Sequence, residues 1–224
     1  MIEEQENIEN FDNIPFEEQE KHGFMMGLYL SVLMLIKAPR DFYSKMHINK
    51  GLKFPIIFVL IMLSINVFFT GFYINTGLIE SPAEQLKVAM QDNPDFIDPD
   101  SELMKTEIED PSILDILQNL LLNFVLFYVL VWVWHFALSM TGVSGNGYEA
   151  TFRVLSYSMV TNLIAIIPFS NPFFNLFVYL WWIYLIYVGI TEAHEVSKKL
   201  AIKGMLLSIF CSFMLLVFVF SMAM

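Results

Sequence analysis

The sequence has very little cysteine and a shortage of positive charge, and both limit what the chain can be. Cys211 is the single cysteine among 224 residues, so a disulfide within the chain is excluded. Lys and Arg total 12 against 23 Asp and Glu, and no basic patch with interleaved aromatic residues occurs, so nucleic acid is not an expected partner. The glycine-rich stretch 142–148 lacks a Gly-Lys-Ser/Thr ending and is therefore no phosphate-binding loop of the Walker type.

Apolar residues, in contrast, make up 56% of the chain. A helix that crosses about 30 Å of hydrocarbon needs about 20 mostly apolar residues. Five runs approach or exceed that length, at 54–77, 116–140, 152–169, 173–191 and 204–222. The third is the weakest, because polar residues interrupt it at Ser156, Ser158, Thr161 and Asn162. Backbone polar groups in lipid must be satisfied within each segment, so the sequence predicts an all-α, polytopic membrane helix bundle with five transmembrane helices.

The remaining segments predict the domain organisation. Residues 1–22 are rich in Glu, and we expect them to form a disordered cytoplasmic tail that is able to bind protein partners. Residues 23–224 form the membrane domain, which includes an acidic external loop at 78–111. The apolar run 24–36 is short for a span and is followed by Pro39, so we interpret it as an N-terminal interfacial helix. A sixth span is the alternative, but it would move the N-terminus outside and leave the five basic residues at 37–53 awkwardly placed.

The basic residues predict the orientation. They gather before the first span and between the fourth and fifth spans, whereas the loop 78–111 has only Lys87 and Lys105 among ten acidic residues. The positive-inside bias therefore places the N-terminus in the cytoplasm and the C-terminus outside. The lipid bilayer is the expected partner of the apolar faces. These faces would also allow a homo-oligomer, although no Gly-x-x-x-Gly motif lies within a span.

Polar residues inside or beside the spans are the candidate functional positions. A candidate outer polar stripe opens the second span with Asp115, Asn119 and Asn123, which recur four apart on one helix face. A candidate inner polar cluster gathers near the cytoplasmic ends of the spans and consists of His135, Glu149, Arg153, Tyr157, Glu192 and His194. We predict that Arg153 pairs with Glu149, with Glu192 or with both. Either group of residues could line a cavity or simply join helices to one another.

Three stretches and one proline form a recognisable pattern. The run Gly147–Ser158 reads GYEATFRVLSYS, Pro168 and the run GITEAH at 189–194 follow it, and APRDFY lies at 38–43. Together they resemble the YIP-domain family, which is named for interaction with Ypt/Rab GTPases; APRDFY is similar to that family's Pro-x-x-Phe-aromatic element. The resemblance covers roughly residues 23–224 and implies a five-span membrane protein; eukaryotic members are associated with ER–Golgi trafficking. The chain lacks the Asp-Leu-Tyr-Gly-Pro-like element of those members and has a longer acidic loop. It therefore resembles the prokaryotic branch, which implies the plasma (inner) membrane.

Three functions are compatible with these features. We favour a non-enzymatic membrane scaffold or adaptor, because the chain shows no catalytic constellation and no cofactor or metal motif. The alternative is a small transporter, channel or lipid-moving protein in which the inner cluster and the outer stripe line a polar cavity. An intramembrane metalloenzyme built on Glu192, His194 and Glu195 together with His135 is the least supported, because the spacing differs from His-Glu-x-x-His.

Overall fold

The computed structural model describes residues 11–80, 113–168 and 172–223. In these ranges the chain contains helices and no β-strand, which confirms the all-α class. Short 3-10 helices cover Pro15–Glu17 and Met159–Ile166. The α-helices of the described ranges are α1 Gln19–His22, α2 Phe24–Lys37, α3 Pro39–Ser44, α4 Lys53–Asn75, α5 Ile113–Met140, α6 Gly147–Ser158, α7 Pro172–Ala193 and α8 Lys198–Ala223.

Four of the described helices are long and apolar enough to cross a bilayer. These stretches are Lys53–Asn75, Ile116–Met140, Phe173–Ala193 and Lys198–Val219, and they correspond to the first, second, fourth and fifth predicted spans. The last helix begins at Lys198 rather than at residue 204. Long Lys side chains explain this difference, because their apolar stems can lie along a helix while the ammonium groups reach the interface.

The third predicted span, 152–169, has a different structure from the other four. A 12-residue α-helix, α6, continues directly into the 8-residue 3-10 helix Met159–Ile166, and residue 169 lies outside the described residues. At about 1.5 Å per residue in the α-helix and about 2.0 Å in the 3-10 helix, the two together extend about 34 Å. The combined length is sufficient to cross a bilayer, but a five-span count remains a prediction.

Helix α6 lies in the middle of the bundle. It packs against α4, α5 and α7, and every residue from Ala150 to Ser158 is buried. Gly189 allows α7 to approach it closely, because a Cβ at this position would lie 2.6 Å from Val154 Cγ1. The polar residues of α6 from Thr151 to Ser158 are therefore enclosed by protein. Their hydrogen-bond partners must come from neighbouring segments.

The N-terminal segment differs from the predicted disordered tail over residues 11–22. Ile14 and Phe16 are buried with 1% and 0% of their surface exposed, and the backbone N–H of Phe16 donates to Ser31 Oγ of α2 at 2.9 Å. The apolar residues in the Ile-Pro-Phe run supply the buried surface that a purely acidic tail would lack. Residues 1–10 lie outside the described residues. We refer to residues 11–22 as the N-terminal strap.

A glycine in α2 explains how closely the strap can approach. A Cβ at Gly27 would lie 2.7 Å from the carbonyl oxygen of Pro15 and 3.2 Å from Phe16 Cα. The α-helix Phe24–Lys37 covers the apolar run 24–36, and Gly27, Ser31, Met34 and Leu35 form its buried face. That face is turned toward the rest of the protein, while its place relative to a bilayer remains a prediction.

Candidate functional site

Arg153 of α6 is the most unusual residue of the bundle, because its side chain is only 1% exposed. Its Nη2 donates to both carboxylate oxygens of Glu17, at 2.5 and 2.6 Å, and its Nη1 donates to the carbonyl oxygen of Gly51 at 2.8 Å. The Glu17 side chain is 2% exposed. Hydrogen bonds between two ionised groups are stronger than those between neutral groups, and each charge offsets the desolvation of the other. The strap is thus fixed to the membrane domain by a buried ion pair.

Tyr157 lies one turn further along α6 and completes this arrangement. Its hydroxyl donates to Glu17 Oε1. Its ring packs edge-on against Phe42 and Phe58, with centroid separations of 5.0 and 5.1 Å. Glu17 therefore accepts hydrogen bonds from a charged and a neutral donor on the same helix. We call Glu17, Gly51, Glu149, Arg153 and Tyr157 the Arg153 cluster.

Glu149 connects this cluster to the turn before α4. Its Oε1 lies 3.5 Å from Arg153 Nη1 and accepts from the backbone N–H groups of Asn49 and Gly51 at 3.1 and 3.0 Å. Both turn residues have φ near +77°, a left-handed conformation that orients these N–H groups in the same direction. The predicted pairing of Arg153 with Glu149 is present, although Glu17 is the closer partner of the guanidinium.

The alternative pairing of Arg153 with Glu192, which the prediction left open, is not formed. Glu192 instead accepts from Arg40 Nε at 2.7 Å, which links α7 to α3 near the protein surface. Arg153 bonds instead to Glu17, Glu149 and Gly51 inside the bundle. Glu192 is partly exposed and meets the exposed side chain of Arg40. Tyr43, also in α3, connects that helix to α6 through a 2.9 Å hydrogen bond with Ser158. Burial raises the pKa of the Tyr43 phenol.

The two histidines of the predicted inner cluster meet at a threonine rather than at Arg153. Thr151 Oγ1 lies 3.1 Å from His135 Nδ1 and 3.2 Å from His194 Nε2. His194 is 4% exposed, and its Nδ1 has no hydrogen-bond partner among the described residues. Burial, together with the nearby His135, lowers the pKa of His194 to about 4. The hydrogen-bonded series His135–Thr151–His194 therefore connects α5, α6 and the residue after α7 through neutral groups.

The outer stripe is only partly described. Asn123 Nδ2 donates to the backbone oxygen and to Oδ1 of Asn119, at 2.8 and 2.6 Å. The Asp115 side chain lies outside the described residues. Asn123 also lines a cavity together with Asn66 and Asn162, a grouping that the sequence pattern does not predict. In the sequence, Asn162 stands out only as an interruption of a span.

Sequence reasoning also missed the central partner of Arg153. Glu17 was one of eight acidic residues in the first 22, and nothing in its charge distinguished it from the others. The useful signal was its position directly after Ile-Pro-Phe, the one compact apolar run of the tail. Among the described residues, no group of three or more His, Cys, Asp and Glu side chains is placed to hold a metal ion.

Comparison with known families agrees with the sequence motifs that α6 and α7 carry. Residues 33–221 match the Yip1 domain. The chain belongs to the Yip1 domain family. Together with four membrane-length helices, this identifies an integral membrane protein. No curated protein and no solved structure matches the chain. Arg153 lies within the matched range, whereas Glu17 precedes it.

Proposed function

We propose that this Yip1-domain protein is a non-catalytic membrane scaffold or adaptor, and that its N-terminal strap forms the partner-binding face. The observation that carries the proposal is the buried pair of Glu17 and Arg153, which holds the strap in one position on the membrane domain. A recognition segment that is already ordered loses less entropy on binding than a free tail does.

The exposed side of the strap offers charges of both signs to a partner. A cavity of about 450 Å³ lies there, with Glu18, Glu20, Lys21 and Lys53 among its lining residues. Glu20 and Lys21 are exposed and belong to α1, directly after the anchored residues. Mixed charge at such a rim favours specificity and association rate more than raw affinity. These properties suit a transient adaptor surface.

The proposed topology has five spans, with α6 and the following 3-10 helix acting as the third. This arrangement places the N-terminus and the strap in the cytoplasm and the C-terminus outside. Support comes from the Lys and Arg residues near the start of α4 and of α8 and from the combined length of α6 and its 3-10 extension. A plasma membrane location, as in the prokaryotic branch, accompanies this proposal.

Photo-crosslinking in cells tests the scaffold proposal. A photoreactive amino acid in place of Glu20 should crosslink to a defined protein, and the added substitution Glu17→Gln should reduce that crosslink strongly, because it releases the strap. The same photoreactive residue in place of the exposed Lys199 is the control, and its crosslinks should not respond to Glu17→Gln. A Glu20 crosslink that is absent or insensitive to Glu17→Gln would count against the strap as an adaptor.

The second candidate function is a small transporter, channel or lipid-moving protein. The asparagine-lined cavity between α4, α5 and α8 is the observation that favours it. Purified protein in liposomes should be assayed for flux of ions and small solutes and for transfer of a labelled phospholipid between leaflets. Flux that depends on protein would replace the scaffold proposal, and its absence would remove this candidate.

A further inference from the structure

A groove lined by amide side chains lies between helices at the depth of the membrane. It has a volume of about 460 Å³ and is bounded by α4, α5, the 3-10 helix Met159–Ile166 and α8. Three asparagines from three different elements line it: Asn66, Asn123 and Asn162. Pockets that hold small ligands have volumes of roughly 300–1,000 Å³, so the groove can contain a ligand of that class.

The groove lies within the apolar zone. Asn66 is about 20 Å along α4 from Lys53 and about 14 Å from the other end of that helix, at roughly 1.5 Å per residue. Ser212, which also lines the groove, is about 21 Å along α8 from Lys198 by the same rise. Both starting residues belong to the predicted cytoplasmic side, so the groove falls in the outer half of the hydrocarbon.

The hydrogen-bonding capacity of the three amides is only partly used. Asn123 donates to Asn119. Asn162 Nδ2 contacts Met159 Sδ at 3.8 Å, and this sulfur is a weak acceptor. The side-chain amide of Asn66 makes no hydrogen bond with any described residue. A second cavity of about 230 Å³ has Asn66 and Asn162 in its wall as well. In hydrocarbon an unpaired amide is costly, so these side chains favour a ligand that brings a polar group to them.

The other lining residues restrict the chemistry of that ligand. No Asp, Glu, Lys, Arg or His lines either cavity among the described residues, so a charged head group would find no counter-ion. An amide both donates and accepts, which suits a hydroxyl group. The mouth of the groove carries Leu126, Leu216 and Val219, each more than half exposed on a surface that belongs to membrane-spanning helices. A ligand that enters there comes from the bilayer and carries a hydrocarbon chain.

We propose that this groove binds a neutral, hydroxyl-bearing membrane lipid, with the hydroxyl held by Asn66 and Asn162 and the chain lying along the apolar mouth. Matching a hydroxyl to buried amides discriminates against the same chain without the hydroxyl, because the amides then stay unpaired. The site is independent of the Arg153 cluster, since the two share no residue. It goes beyond the scaffold function and can hold whether or not the strap binds a partner.

Competition for a photoreactive probe tests the proposal. The full-length protein in nanodiscs is labelled with a long-chain alcohol that carries a diazirine, and unlabelled oleyl alcohol or the matching hydrocarbon 9-octadecene competes. We expect the alcohol to compete at a concentration roughly fivefold lower than the hydrocarbon, as one additional hydrogen bond implies. Equal competition by the two molecules would overturn the proposal.

Variants locate the site. Asn66→Leu and Asn162→Leu are close in volume to the native residue, and each should remove the preference for the alcohol while labelling by the hydrocarbon chain persists. Ser64→Leu is the matched control, because Ser64 is exposed on the same helix and lines neither cavity. A thermal transition confirms that each variant is folded; if Asn162→Leu is not, Asn66→Leu decides alone. A preference that survives in Asn66→Leu would overturn the proposal, as would disulfide crosslinking of Leu216→Cys to a second copy that covers the groove.

Discussion

Glu17 and Arg153 are 136 positions apart in the chain, yet both carboxylate oxygens of Glu17 lie within 2.6 Å of the same guanidinium nitrogen. Neither side chain is more than 2% exposed. Two charges that are desolvated together are stable only as a pair, because the loss of one leaves the other without compensation. The pair therefore holds the strap against the centre of the bundle, and the contribution of each of the two residues can be tested by substitution.

Neutralising Glu17 should destabilise the protein. Glu17→Gln leaves the buried Arg153 without its main counter-charge, and we expect a loss of about 3 kcal/mol in the free energy of unfolding. Thermal or denaturant unfolding in detergent measures this loss. Glu20→Gln, an exposed position three residues further on, should change stability by less than about 0.5 kcal/mol. Equal effects of the two substitutions would show that the pair contributes no net stability.

The arginine half of the pair gives a second test. Arg153→Ala should lower the stability in detergent far more than Lys198→Ala, since Lys198 is exposed at the start of α8. The combination of Glu17→Gln with Arg153→Ala should be less harmful than the sum of the two single changes. The double variant loses less stability because it leaves no buried charge without a partner. Strict additivity would contradict a direct interaction.

Gly27→Ala should displace the strap while leaving the membrane helices intact. The added methyl group would lie 2.7 Å from the Pro15 carbonyl oxygen, and that atom belongs to backbone rather than to a flexible side chain. We expect faster proteolysis within residues 11–22 and a lower unfolding temperature. Gly71→Ala in α4 is the control, because nothing lies within 4 Å of the position that a Cβ would take there and alanine favours a helix. Unchanged proteolysis in Gly27→Ala would mean that the strap tolerates a shift.

Stability should fall as the pH is lowered from about 6.5 toward about 4. His194 has an ordinary pKa of 6.5, lowered to about 4 by burial and by His135 in the folded protein. Between these values the unfolded state binds the proton and the folded state does not, so the loss can reach about 3 kcal/mol from this group. His194→Asn should flatten the slope of stability against pH, measured in detergent. His47→Asn, at an exposed position, should leave the slope unchanged.

A pair of reporters tests the five-span topology. A compartment-sensitive reporter fused before Met1 should report the cytoplasm, and the same reporter fused after Met224 should report the outside. An odd number of crossings requires opposite sides. Two reporters in the cytoplasm would leave α6 and its 3-10 extension as a segment that does not cross, and the Arg153 cluster would then need a new position relative to the membrane. Two reporters outside would instead favour the sixth span over 24–36.

Local sequence was sufficient for the elements whose character is set by long apolar runs. The four membrane-length helices, the break of α2 before Pro39 and the family motifs in α6 and α7 all depend on neighbours within a few turns. The third span shows the limit of such local patterns. Polar residues such as Ser158 and Asn162 marked it as weak, but only the structure shows the change from an α-helix to a 3-10 helix at residue 159.

The partners of the charged and polar residues depended on tertiary structure. The sequence determined that Arg153 would lie close to Glu149 near the inner ends of the spans, because residues four apart are neighbours on one face of a helix. The full burial of Arg153 depended on the tertiary structure. The sequence could not predict that Glu17, among the acidic residues of the tail, would pair with Arg153. Nor could it predict that Glu192 would pair with Arg40, or that Asn66 and Asn162 would line the same cavity. These contacts depend on how the helices pack and on the position that Gly27 allows the strap to take. They join residues that are too far apart in the chain for a periodic sequence pattern to predict.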